Sequence, residues 1–104
     1  MRTVRALPEV SGDISRAARW YNRREPGLGF RFAETSYQVI DDLAAAPLAH
    51  RLIYREFRRG LMKRFPYAFY YKVTDSEMVI VLVFHTARNP DTLKRMLRKR
   101  EAAS

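Results

Sequence analysis

The sequence predicts an α+β domain of order β-α-α-β-β-β-β-α, an N-terminal helical hairpin packed on a mostly antiparallel sheet, with a C-terminal helix. Three observations predict it. Apolar residues recur every three to four positions in the first half and at every second position in much of the second half. Pro and Gly fall where one pattern gives way to the next. The run Met78 to His85 is apolar on both faces until its last residue, which places it mid-sheet with cover on each side.

Thr3 to Leu7 reads as a short strand stopped by Pro8. Ser11, Gly12 and Asp13 offer helix-capping groups, so the first helix is expected to start there. Ile14, Ala17, Ala18 and Tyr21 then form one apolar helical face, on a helix that Trp20 helps to pack. Glu25-Pro26-Gly27 breaks the helix. A second helix, Leu28 to Ala45, turns Phe32, Ser36, Val39, Ile40 and Leu43 inward and ends at Pro47. Four strands follow: His50 to Phe57, Leu61 to Phe65, Tyr67 to Thr74 and Met78 to His85. Arg58-Arg59-Gly60 is the first expected turn and Asp75-Ser76-Glu77 the last. Short connections make such strands antiparallel. Asn89, Pro90 and Asp91 start the last helix, about Pro90 to Arg100, which buries Leu93, Met96 and Leu97.

A chain of 104 residues, 47% hydrophobic and 30% charged, is expected to fold as one domain over 1–104 with a modest core. No apolar run reaches the roughly 20 residues that cross a bilayer, and no signal segment is evident, so a cytoplasmic protein without membrane contact is expected. Without cysteine, disulfide and thiolate chemistry are excluded. The net charge of +9 is uneven. Residues 1–50 carry seven Lys/Arg against six Asp/Glu, and residues 51–104 thirteen against five. That asymmetry points to a polyanionic partner, a nucleic acid or an acidic protein segment; a solvated basic surface is the plainer reading.

His85, where the apolar strand surfaces, is suited to acid or base work; the plainer alternative is a strand-end imidazole bonded to backbone. Arg88, three residues on, is suited to gripping a phosphate or carboxylate, or to capping or bridging at the last helix. Arg55, Arg58, Arg59, Lys63 and Arg64 cluster around one hairpin. Strand alternation puts Leu61, Lys63 and Phe65 on one face and Met62 and Arg64 on the other, so Lys63 and Arg64 are not expected at one ligand. Tyr67, Phe69, Tyr71 and Val73 share a face suited to the core. On the opposite face Tyr70 beside Lys72 is the surface candidate. The last helix adds Arg95 and Arg98 to a basic stretch of Lys94, Lys99 and Arg100. No phosphate-binding glycine loop, metal-ligand spacing or Ser/His/Asp set is present, so neither cofactor nor metal is expected.

Trp20-Tyr21, Pro26-Gly27-Leu28-Gly29 with Phe32, Pro47, Arg64-Phe65-Pro66-Tyr67, and His85, Arg88 and Pro90 stand in a recognisable order. Together they resemble the RelE/ParE superfamily of bacterial toxins from type II toxin–antitoxin pairs, nearer its ParE-like branch, over almost the whole chain. The resemblance implies a growth-arresting, plasmid-stabilising toxin that binds its target, DNA gyrase, and is silenced by a cognate acidic antitoxin. It also implies a homodimer or a hetero-oligomer with that antitoxin. The RelE-like branch instead cleaves mRNA on the ribosome without metal. Its members carry an Arg just after the sheet Tyr, where this chain has Ala68, and a Tyr or His near the C-terminus, which the tail from Leu93 onward lacks. These departures favour the ParE-like reading. A metal-independent endoribonuclease using His85, Arg88, Arg59 and Lys63 is the alternative, and a non-toxic partner-binding module is the second.

Overall fold

The computed structural model describes residues 2–103. The order is β1 (Thr3–Ala6), α1 (Pro8–Arg24), α2 (Leu28–Ala45), β2 (Leu52–Tyr54), β3 (Phe57–Leu61), β4 (Tyr67–Val73), β5 (Glu77–His85) and α3 (Pro90–Ala103). The expected order and class hold. The five strands lie in the order β1-β5-β4-β3-β2, antiparallel throughout except where β1 runs parallel to β5. β5 is therefore internal, and seven of its nine residues are buried.

The two faces are told apart by β4. Tyr67 packs its ring on Phe32 of α2, and the Tyr71 hydroxyl donates to the Pro47 carbonyl at the end of the hairpin. Lys72, on the other face, reaches Glu101 of α3 at 3.5 Å. The helical hairpin thus covers one face and α3 the other.

Three boundaries differ from the sequence expectation. α1 starts at Pro8, not after Ser11–Asp13, because Pro fits the first helical position, where its missing N–H costs nothing. Asp13 is consequently inside the helix and buried. The first hairpin turns at Arg55–Glu56, with Arg55 left-handed at φ 51°, instead of at Arg58–Gly60. Gly60 lies within β3 because a Cβ there would come within 2.5 Å of Leu43 Cδ2. Residues 62–66 form a loop and not a strand. Its Arg64 is left-handed at φ 72°, while Met62 N–H donates to Tyr67 O at 2.9 Å.

The hairpin break is closed by a side chain. Asn22 Oδ1 accepts from Gly27 N–H at 2.8 Å and from Gly29 N–H at 3.4 Å. Gly27 has φ 93°, a conformation glycine adopts without penalty. Gly29 lets α1 and α2 approach, since a Cβ there would lie 2.4 Å from the Ala18 carbonyl oxygen.

β1 pairs with β5 only from Glu77 to Ile80. Beyond it the edge of β5 is finished by side chains. A register shift opposite Tyr70 and Tyr71 leaves Val81 as the extra residue on β5. The Val81 carbonyl accepts from Arg100 Nη1 at 3.0 Å, and Val83 N–H donates to Asp13 Oδ2 at 3.0 Å. Arg100 was expected on the outer basic face of the last helix. Instead it is buried, seven positions beyond Leu93 and three beyond Leu97 on the inward stripe.

Candidate basic hollow at the tip of β5

Four predicted residues from three elements meet at one place. Arg59 of β3, Tyr70 of β4, His85 at the end of β5 and Arg88 just before α3 line a hollow of about 200 Å³. Ile53, Tyr54, Phe84 and Leu93 supply apolar wall, and Lys94 adds a cation. Register explains the meeting: Arg59 pairs with Tyr70, Tyr70 with Leu82, and Phe84 follows two residues later on the same face.

Tyr70 is not the surface residue expected from alternation; it is only 2% exposed. α3 covers that face of β4. Burial pushes its phenol above the ordinary value, and the hydrogen-bonded Arg59 guanidinium opposes the rise. The hollow thus joins a buried hydroxyl to a guanidinium.

His85 Nδ1 accepts from Ala87 N–H at 3.0 Å, the backbone bond of the plainer reading. With Nδ1 accepting, a neutral imidazole carries its proton on Nε2. Its ring packs edge-on against Tyr67 at 5.1 Å. Arg88 lies over the Phe84 ring, 4.7 Å from its centroid, in a cation–π contact. Phe84, His85 and Arg88 also border a larger hollow of about 580 Å³, lined by Arg16, Trp20, Tyr21 and Met96 among others. Trp20 meets Tyr21 of the first helix edge-on at 4.9 Å but is not buried in the core. It is 44% exposed, with the Arg24 guanidinium 4.2 Å over its ring.

The other predicted residues disperse. Lys63 and Arg64 border a third hollow on the hairpin side. Strand alternation had separated these two, but in a loop it does not apply. Arg55 sits over the Tyr54 ring. Arg58 donates to the His50 carbonyl at 2.6 Å, Arg98 to the Tyr54 hydroxyl at 2.9 Å and Arg95 to Thr92 at 3.5 Å. Lys72 is engaged by Glu101.

Two participants were missed in the sequence. Lys94 and Tyr54 meet in a cation–π contact beside the hollow. By sequence Lys94 belongs to the basic stretch of the last helix, although it immediately follows the inward Leu93. Tyr54 was hidden by the misplaced first hairpin.

The Arg64–Tyr67 segment is anchored by rings. Phe65 packs on Tyr21 at 4.8 Å and Phe32 at 5.0 Å, which carries the cluster on through Tyr67 to His85. The Pro66 carbonyl accepts from Thr86 N–H at 2.8 Å. Two of the segments that carry the family resemblance are thus physically joined.

A structure described as the chromosomal ParDE TA system from P. aeruginosa is similar to this chain, with a TM-score of 0.73 at 16% identity. The match covers 82% of this chain and 96% of that one, and at such identity it speaks for the fold alone. No curated protein sequence matches. The family described as ParE toxin of type II toxin-antitoxin system, parDE, matches residues 4–90, from β1 to the first residue of α3. By that match across nearly all of its sheet and its helical hairpin, the chain belongs to the ParE toxin family.

Proposed function

We propose that this ParE-type toxin arrests growth in the bacterial cytoplasm by binding DNA gyrase, and that a cognate acidic antitoxin neutralises it. The observation that carries the reading is the hollow at the tip of β5, where Arg59, Arg88 and Lys94 surround the buried Tyr70. Cations on an apolar wall suit a carboxylate-bearing protein surface, whose charge steers encounter and fixes register. Ala68 is fully buried and supplies no cation where the ribonuclease branch has an arginine.

Induced expression should stop growth and raise the DNA-damage response. The purified chain should inhibit gyrase supercoiling, and its antitoxin should restore it. Growth arrest with unimpaired supercoiling would overturn the reading.

One observation favours a second reading, the metal-independent endoribonuclease. His85 lines the same hollow as Arg88 and Arg59, two guanidiniums suited to a developing phosphorane charge; to act as general acid its ring would first take a proton on Nδ1 and release the Ala87 N–H bond. mRNA cut at ribosomes after induction, and spared by His85→Ala, would support it.

A further inference from the structure

The larger hollow beside the end of β5 holds about 580 Å³, within the roughly 300–1,000 Å³ of small-ligand sites. Rings wall it: Trp20 and Tyr21 from α1, Tyr67 from β4, and Phe84 and His85 from β5. Trp20 keeps 44% of its surface exposed even with Arg24 over its ring, so indole surface is left for a ligand. Arg16 and Arg88 stand in the same lining. Among the described residues, its one carboxylate is Asp13, already matched by Arg100 and Arg16.

The backbone of β5 adds polar groups. β1 stops opposite Ile80, and Asp13 takes the Val83 N–H. The N–H and C=O of one strand residue point to the same edge, so the Val83 carbonyl faces outward as well. Tyr67, opposite His85, turns its N–H to Phe65 and its C=O to Met62, which puts the His85 N–H on the outer edge too. The Val83 carbonyl and the His85 N–H thus form an acceptor–donor pair, two residues apart, on the wall of the hollow.

We infer that this hollow binds a purine nucleotide. The base lies against Trp20, and its Watson–Crick edge meets the Val83 carbonyl and the His85 N–H, as N6–H and N1 of adenine can. The phosphate meets Arg16 and Arg88, whose guanidiniums suit it bidentately. Arg16 gives one N–H to Asp13 at 2.8 Å and keeps others. An added peptide strand fits less well. It needs a row of edge groups, whereas side chains take Val81 C=O and Val83 N–H, and the chain turns at His85, whose carbonyl accepts from Arg88 N–H. A bare anion would leave the rings unused. The inference goes beyond gyrase binding, because Trp20, Arg16 and Val83 lie outside the hollow at the tip of β5.

Trp20 is the chain's only tryptophan, so its fluorescence reports on the site directly. AMP added to the full chain should quench it saturably. In amide NMR it should move residues 16–21 and 83–88 and leave 62–64 in place. Ribose 5-phosphate, which lacks the base, should bind about tenfold more weakly. Arg16→Gln should weaken AMP by about tenfold and leave adenosine unchanged. Trp20→Leu, followed by NMR, should weaken both, with the melting temperature as the check on folding. No saturable quenching, ribose 5-phosphate bound as tightly as AMP, or full affinity in both variants would overturn the inference; the first two readings need no variant. So would a single-stranded oligonucleotide that holds these amides more tightly than AMP, since the occupant would then be a strand and not a free nucleotide.

Discussion

The carboxylate of Asp13 is gripped twice by Arg100, Nη1 to Oδ2 at 2.5 Å and Nη2 to Oδ1 at 2.8 Å, across 87 positions of sequence. Both side chains are more than nine-tenths buried. Each also satisfies a backbone group of β5, so the pair ties α1, α3 and the internal strand together.

Asp13→Ala should therefore destabilise the protein by about 3–5 kcal/mol, read from urea unfolding, because it strands a buried guanidinium. Replacing both, Asp13→Leu with Arg100→Met, often rescues a buried ion pair elsewhere. Here it should not, since Val83 N–H and Val81 C=O would lose their partners at about 1–3 kcal/mol each. A double variant with the parental midpoint would show that the backbone bonds contribute little.

Gly29→Ala should cost more stability than Gly60→Ala. At Gly29 the new methyl meets the rigid Ala18 carbonyl; at Gly60 it meets the end of Leu43, which can turn aside. Overpacking of the second kind costs about 1–3 kcal/mol, and Leu43→Val should recover part of it. Equal losses in the two variants would contradict this ranking, with thermal unfolding as the measure.

Arg88→Glu should raise the concentration for half-inhibition of supercoiling by roughly tenfold, while leaving the melting temperature nearly unchanged. Adding Arg59→Glu should abolish growth arrest. Full toxicity of the double variant would remove the tip of β5 from the mechanism.

Acid should loosen β1 before the rest of the sheet. Glu77 bonds Arg5 across the β1–β5 pair, and that bond holds its carboxyl below the ordinary value of 4.5. A lowered folded pKa gives stability that is complete above the unfolded value and fades as pH falls through the folded one. Exchange of the Leu7 amide, which donates to Ile80 O, should quicken over that range. Glu77→Gln should flatten the pH response, and a parental chain with no such response would count against the clasp.

Much of this architecture was legible. Phe32, Ser36, Val39 and Leu43 fall on the inward stripe of α2 as their spacing requires, and β5 is internal as its apolar run implied. The sequence marks His85, Arg88 and Arg59 as candidates, and the fold brings them to one hollow. What escaped were places where a tertiary contact outweighs local pattern. Gly60 resembles a turn residue but marks the seat of Leu43. Asp13 resembles a cap, and Arg100 a solvated tail charge. Yet each stands on the apolar stripe of its helix, Asp13 three positions beyond Val10 and four before Ala17, and a charge in that register signals a buried partner.

The parallel pairing of β1 with β5 bears on how the chain is made. Thr3 leaves the ribosome early, but its partner Glu77 is translated only after both hairpin helices and three more strands. Contacts so distant in sequence slow folding, because loop closure must precede any reward. The clasp between Asp13 and Arg100 waits longer still, until the last turn of α3 has emerged. A nascent chain thus carries an unfinished central strand through most of its synthesis. The interval before β5 is closed on both sides is a window in which a partner already present can meet the toxin first.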